Sequence, residues 1–428
     1  MSTNSVAHVL RGVLLQHVIR LAVGLVTSLG LARHLGPEAF GSYQTMLSWM
    51  LVFIALGSGG LQSVVIQRLA ISNAPRDVLG TVFRLRLAWV GLALLLSTVL
   101  PILLRWSHGE ILCVLVLAPS LFLQFSDLPD YLFQSRMEPL PALLARSSGS
   151  LIALAAMGIG ILLNFGVLFF CAAFVLDQIV GFVVLWHRNQ RAGVPFASWR
   201  FDPKIASELM REAWPMLLTT LSLLVYTRID LVMLRQLSSP EQVGYFAASS
   251  RLAQLWAFVP LVLVNAIFPM LARLRLTDSV AYTQKSKDFI AVLGFSGLLL
   301  ALVLSIGAPW IVPLLLGKDY APTIPMLAVQ GWIALCYFVR TGMDRWLVTE
   351  RLTHYNLILH VGTALMNVGL NFVLIPRMGG MGAAVASLVS MVLAVWGIPW
   401  CFAAMRPVAR LLVPTRVPDW RGLLRSRG

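Results

Sequence analysis

What the chain has least of is charge. Only 12% of its 428 residues are Asp, Glu, Lys or Arg, against 58% hydrophobic, whereas a soluble domain carries about 25% charged residues. That shortage excludes an ordinary soluble fold, which has nowhere to hide so much apolar surface. Acids are scarcest: 18 Asp and Glu face 33 Lys and Arg, for a formal charge of +15. In a soluble protein such an excess points to nucleic acid. Here the basic residues fall in alternate loops between apolar runs, so no nucleic-acid partner is expected. The four cysteines, Cys113, Cys171, Cys336 and Cys401, each stand alone in an apolar run. They form no CxxC pair and no metal-ligand spacing, and read as small core residues. No phosphate-binding glycine loop, zinc motif or nucleophile elbow occurs, so neither a metal nor a cofactor is expected. No cleavable signal peptide is evident, since the first apolar run leads straight into a second. Short alternating segments, the mark of an outer-membrane barrel, are also missing.

What is present is a series of apolar runs of about 20 residues, the length that spans a hydrocarbon layer of about 30 Å. Helices satisfy their own backbone there. The sequence therefore predicts an all-α integral membrane protein of about twelve transmembrane helices. They lie near 12–31, 42–66, 80–104, 110–126, 142–163, 166–186, 211–234, 243–270, 288–316, 323–345, 354–375 and 382–404. Basic residues orient them. With both termini in the cytoplasm, only Arg33, Arg105, Arg235, Lys318 and Arg377 fall outside. Arg20, Arg228, Arg251 and Arg340 lie within spans, and all the other Lys and Arg residues fall inside. This implies a multi-pass membrane protein with both ends cytoplasmic.

The longest polar interruption runs through Arg188, Arg191, Pro195, Asp202, Pro203 and Lys204, with six spans before it and six after. The expected organisation is an N-terminal lobe at 1–190, a cytoplasmic linker at 191–210, a C-terminal lobe at 211–404 and a basic cytoplasmic tail at 405–428. The halves share a signature. Pro37-Glu38-Ala39-Phe40-Gly41-Ser42-Tyr43 follows span one, and Pro240-Glu241-Gln242-Val243-Gly244-Tyr245 follows span seven. Both read as a turn that starts a helix. Recurrence at the same place in two six-span halves suggests a duplicated module repeated about an axis along the membrane normal.

Polar residues inside the spans are the candidate site, since charge at bilayer depth faces a cavity or a partner. Arg20 and His17 share one face of span one. They read as an anion-binding pair or as a structural arginine bonded to neighbouring helices. Thr219, Ser222, Tyr226 and Asp230 form one polar face of span seven; Arg228 lies on another side, and Arg251 sits in span eight. Asp230 is expected to pair with Arg251 or Arg228, as part of a substrate site or a gate. Asn356, His360, Thr363, Asn367 and Asn371 form a polar stripe along span eleven, read as a sugar or water path or as interhelical glue. Asp177 and Asp230 are the candidate coupling-ion carboxylates, though Asp177, a lone acid in span six, reads more readily as a hydrogen-bonded structural acid. Arg340 and Asp344 read as a local ion pair, and Asp127-x-x-Asp130 as a solvated loop with a turn. Pro215, Pro260 and Pro269 predict kinks. A membrane-embedded glycosyltransferase would need a sizeable outer loop bearing carboxylates, and these loops are tiny, so no enzyme is expected. An exporter of small cations would favour carboxylates, yet mid-span basic residues outnumber acids.

Several segments together carry a family likeness. They are Ala32-Arg33-His34-Leu35-Gly36-Pro37-Glu38-Ala39-Phe40-Gly41-Ser42-Tyr43, Thr227-Arg228-Ile229-Asp230, Val243-Gly244-Tyr245-Phe246-Ala247-Ala248, Phe268-Pro269-Met270-Leu271-Ala272, Leu315-Leu316-Gly317-Lys318-Asp319-Tyr320 and Leu374-Ile375-Pro376-Arg377-Met378-Gly379-Gly380-Met381-Gly382-Ala383-Ala384. In order and spacing the chain resembles the Wzx-type oligosaccharide flippases of polysaccharide biosynthesis, in the MOP superfamily that also holds MATE exporters and lipid II flippases. The resemblance implies two pseudo-symmetric six-helix lobes forming a V around a central cavity. It implies an undecaprenyl-diphosphate-linked oligosaccharide as cargo, met by Arg20, Arg228 and Arg251, with His17, Asp230, His360 and Asn367 also at the site. Partners implied are the polyprenyl-diphosphate-linked glycan, the bilayer, and polymerase and other polysaccharide-assembly proteins. Transport would draw on a proton, Na⁺ or the membrane potential.

The orientation has a direct check. A green fluorescent protein fused to the C-terminus should fluoresce, and alkaline phosphatase inserted after Lys318 should be active while the same insertion after Lys204 is silent.

Overall fold

The computed structural model describes residues 3–72, 74–138, 140–191 and 194–412, apart from the side chains of 3–23, Leu25, Thr219, Ser222, Leu223, Val225 and Tyr226. Among the described residues the chain is all-α, with no strand. Ten helical stretches are long and apolar enough to cross a membrane. They coincide with the second to sixth and eighth to twelfth expected spans. Spans 12–31 and 211–234 fall on long helices whose side chains are in part outside the description. By contact the chain divides into Met1–Arg228 and Ile229–Gly428.

The first unit holds α1 (Thr3–Ser58), α2 (Gln62–Ile71), α3 (Pro75–Leu103), α4 (His108–Leu117), α5 (Ser120–Leu123), α6 (Asp127–Ser135), α7 (Leu140–Leu162), α8 (Val167–Arg191) and most of α9 (Pro203–Leu237). Helix α1 is broken at Gly36, whose φ of 71° no other residue type adopts cheaply. Pro37 restarts it with a preset φ. Ser107 opens α4 with a capping box: its backbone N–H donates to the Glu110 carboxylate at 2.9 Å, and its hydroxyl accepts from the Glu110 N–H. Helices α7 and α8 touch at Gly149, where any side chain would collide with the Asp177 carbonyl. Segment 194–202 is part of this unit. The N–H of Arg200 donates to the Arg76 carbonyl at 3.3 Å, and that of Asp202 to the Thr81 hydroxyl at 2.9 Å. Phe196 and Trp199 pack on Phe83, and Arg68 pairs with Glu208.

The Asp127-x-x-Asp130 segment is not a solvated loop. It is the first turn of α6, and Asp130 is buried. Pro129 sits where a helix needs no N–H, so it does not stop the turn. Two arginines replace the lost water. The wholly buried Arg86 donates to Asp127 at 3.2 Å and to Gln124 at 2.7 Å, and Arg146 donates to Asp130 at 2.6 Å.

The second unit holds the end of α9, then α10 (Pro240–Gln254), α11 (Phe258–Thr277), α12 (Ser279–Leu316), α13 (Thr323–Thr349), α14 (Thr353–Met378), α15 (Gly380–Val392) and the short α16 (Ile398–Cys401) and α17 (Arg406–Leu411). Ser239 caps α10 and Pro240 follows at its first position, so both Pro-Glu signatures begin a helix. Expected span eight is two helices joined by a 3₁₀ turn at Leu255–Ala257, with Pro260 in the first turn of the second. Cys113, Cys171 and Cys336 are buried as expected, whereas Cys401 is exposed.

Removing Asp127 alone should be costly, because it leaves the Arg86 charge buried without a counter-charge. Asp127→Ala should destabilise by about 3–5 kcal/mol, and the double variant Arg86→Met/Asp127→Ala should recover much of that. Thermal unfolding of the detergent-solubilised protein reads both.

Candidate functional site

The second unit buries one carboxylate among neutral donors. Asp230 lies on the last turns of α9 and is 6% exposed. Its Oδ1 accepts from Asn371 Nδ2 at 2.6 Å, and its Oδ2 accepts from the Ser387 hydroxyl at 2.7 Å. Asn367 Nδ2 in turn donates to the Ser387 oxygen at 3.1 Å, and Asn371 Nδ2 also donates to Asn367 Oδ1 at 3.2 Å. Asn367 and Asn371 are fully buried. Three helices thus meet at one polar node: α9 brings the acid, α14 two amides one turn apart, and α15 a hydroxyl.

Local sequence explains why these groups can meet. Spacing of four puts Asn367 and Asn371 on one face of α14. Helix α15 opens with Gly380-Met381-Gly382-Ala383-Ala384, and Gly382 lies directly against the Leu374 backbone of α14. Such small residues let two helices approach closely, which brings Ser387 within reach. The node is rich in oxygen: two carboxylate oxygens, two amide oxygens and a hydroxyl. Asn371 Oδ1 is buried with no donor, an acceptor with capacity to spare. A hard monovalent cation or a proton suits such a set, since oxygen ligands and a single buried acid are what it requires.

The other predicted residues are distributed as follows. Arg20 and His17 lie on α1, and their side chains are outside the described residues, as are Thr219, Ser222 and Tyr226 on α9. Arg228 and Arg251 are both half-buried. Asp230 takes hydrogen bonds from Asn371 and Ser387, where the sequence suggests an arginine. Within the α14 stripe, Thr363, Asn367 and Asn371 are buried, whereas Asn356 and His360 are half-buried; His360 lies two turns before Asn367 and is not part of the node. Asp177 is half-buried on α8, its oxygens against Gly149. Arg340 donates to Asp344 at 2.6 Å, the expected local pair. Ser387 is the residue that sequence reasoning missed. Its only signal is a hydroxyl, one of two with Ser390, on a helix otherwise made of small and apolar residues.

The node should contribute to stability. Asn371→Leu removes a donor from a buried carboxylate and should cost about 1–3 kcal/mol, while Asp230→Asn, which keeps the shape, should cost less. Melting of the purified variants in detergent distinguishes them.

Residues 9–275 match the family described as polysaccharide biosynthesis protein. Among curated proteins, the chain is 28% identical over 210 residues to a probable flippase, AglR, of Haloferax volcanii. That match covers 45% of this chain and 42% of the relative, so it spans less than half of the relative's length. Among solved structures, an inward-facing multidrug resistance MATE family transporter of the MOP superfamily superposes with a TM-score of 0.75 at 17% identity, covering 93% of this chain and 96% of that one. The lipid II flippase MurJ, in an inward closed conformation, gives 0.73 at 14% identity, covering 93% and 89%. A MOP-superfamily transporter from Pyrococcus furiosus, described as having a binding pocket of reversed polarity, gives 0.56 at 18%, covering 92% and 95%. The family match extends over more than half of the chain and the fold is that of these transporters: this multi-pass membrane protein belongs to the polysaccharide biosynthesis protein family and has the MOP-superfamily fold.

Proposed function

We propose that the protein is a flippase. It moves undecaprenyl-diphosphate-linked oligosaccharide repeat units from the cytoplasmic to the periplasmic leaflet of the bacterial inner membrane, by alternating access, for assembly of a surface or exported polysaccharide. The family match across residues 9–275 is what supports this reading most. The name of the AglR relative agrees with it. In this reading both termini are cytoplasmic, and polymerase and other polysaccharide-assembly proteins receive the product. The protein is not an enzyme and holds no cofactor; moving the cargo makes and breaks no covalent bond.

Two kinds of residue divide the work. Arg20, Arg228 and Arg251 supply permanent charge and forked donors, which replace the hydration that a diphosphate loses on leaving water. The Asp230 node takes the coupling cation, a proton or Na⁺, because among the described residues its carboxylate is met by neutral groups: Asn371 and Ser387. Binding a cation there cancels a buried charge while the hydrogen-bonding partners stay in place. The membrane potential favours the same step, at about 2.3 kcal/mol per charge per 100 mV.

The test is accumulation of lipid-linked oligosaccharide in a deletion strain, with sidedness probed by a membrane-impermeant glycosidase. Intact repeat units trapped on the cytoplasmic face are expected; incomplete repeat units would overturn the reading in favour of an enzyme of synthesis. Restoring the strain with Arg20→Ala/Arg251→Ala should leave export at least tenfold below wild type at equal protein level. Asp230→Asn should do the same and should abolish any dependence of transport on the Na⁺ or pH gradient.

A further inference from the structure

Two of the four cysteines meet. Cys113 lies near the start of α4 and Cys171 near the start of α8. The two helices pack on each other, and the two side chains are in hydrogen-bonding contact. Cys113 is 5% exposed and Cys171 wholly buried, and both are thiols in the structure. The other two, Cys336 on α13 and Cys401 on α16, belong to the second unit. Packing asks of a cysteine only that it be small and apolar. That accounts for each residue alone and leaves the pairing of Cys113 with Cys171 unexplained.

Neither thiol sits on a loose end. The start of α4 is held by the Ser107–Glu110 capping box and by Trp106, which is buried with its ring centre 5.2 Å from that of Trp49. At the start of α8 the Phe165 carbonyl meets His34 Nε2 at 3.1 Å, and the Phe170 ring centre lies 5.7 Å from that of His34. The contact between the thiols is therefore built into the first unit. At a rise of 1.5 Å per residue, each cysteine lies roughly 6–8 Å from the first residue of its helix. In the orientation proposed above, both starts face the periplasm, a compartment in which disulfides form and persist.

We propose that Cys113 and Cys171 are an oxidation site, joined in the membrane by a disulfide that staples α4 to α8 near the outer end of the first unit. The pairing rests on the orientation proposed above and is independent of the cargo. The oxidant is the disulfide of a periplasmic thiol–disulfide oxidoreductase, which reaches the sulfurs before the two helices close on each other. Cys113 gives its proton to water, and its thiolate attacks one oxidoreductase sulfur, forming a mixed disulfide and releasing the other sulfur as a thiolate. The Cys171 thiolate then attacks the Cys113 sulfur and displaces the first oxidoreductase sulfur. Two thiols lose two electrons and two protons, and the oxidoreductase disulfide gains them as a dithiol. The bond closes the chain from α4 through α7 to α8 into one covalent loop, which contains Asp127 and Asp130.

The experiment counts free thiols in the full-length protein. Membranes are dissolved in dodecyl sulfate with a polyethylene-glycol maleimide, and each free thiol adds one step to the band on a gel. Of the four cysteines, two should react in unreduced wild type and all four after reduction. Cys113→Ser and Cys171→Ser should each show three reactive thiols without reductant, because each frees its partner, whereas Cys336→Ser should show one. Peptide mass spectrometry without reductant should find the segments bearing Cys113 and Cys171 joined, lighter than their sum by two hydrogen atoms. Four reactive thiols in unreduced wild type would overturn the proposal, and so would a disulfide between any other pair. The wild-type count is made in denaturant and stands even where a variant does not accumulate. The phosphatase insertion after Lys318 shows which premise fails. Four thiols with an active phosphatase mean that the pair does not oxidise, and four with a silent one mean that the orientation is wrong and the disulfide falls with it.

Discussion

Hydrocarbon solvates neither a peptide group nor a charge, and both deficits shape this chain. Helices remove the first by bonding each amide within its own segment. The second cannot be settled within a segment, so buried charges bring helices together in pairs and triplets. Arg86 on α3 holds Asp127 and Gln124. Arg146 on α7 holds Asp130 on α6. Asp230 holds α14 and α15 through their amides and hydroxyl. Apolar side chains do not discriminate lipid from protein, so these polar contacts and the close approach at small residues specify which helices are neighbours.

The two kinds of contact work together. A hydrogen bond across helices needs the backbones near, and Gly149 against Asp177 or Gly382 against Leu374 removes the bulk that would hold them apart. At Gly149 the close approach and the half-buried acid are the same place. The glycine on α7 faces the carboxyl-bearing residue of α8, so the residue that admits the helix also bounds the surroundings of its charge.

Much of this was legible from the sequence. Ten expected spans coincide with helices because a run of 20 apolar residues has only one stable form in a bilayer. The starts of helices at Pro37 and Pro240 were readable because proline and its neighbours act locally. The polar stripe of α14 was readable because periodicity fixes which residues share a face. What periodicity leaves open is the partner across the interface. Asp230 therefore suggested an arginine by charge, whereas its neighbours are neutral. Ser387 gave almost no signal, since a serine or two in an apolar helix is common. Asp127 and Asp130 misled for a related reason: two acids beside a proline look solvated until Arg86 and Arg146, distant in sequence, are placed against them.

The neutrality of the Asp230 node is also what would make it useful. Had an arginine paired with Asp230, a cation would have had to displace a charge already matched, and little free energy would have been left to shift the protein between states. Asn371 and Ser387 satisfy the geometry of the carboxylate without cancelling its charge. Charge is then the one property that differs between the filled and the empty node. A ligand shifts a conformational equilibrium only by its difference in affinity for the two states, and moving a population from 1:99 to 99:1 needs a difference of about 10⁴-fold. A carboxylate that is desolvated more fully in one state than in the other supplies such a difference through charge, with no need for new contacts. The three helices that meet at the node would feel the change together, because each contributes to it.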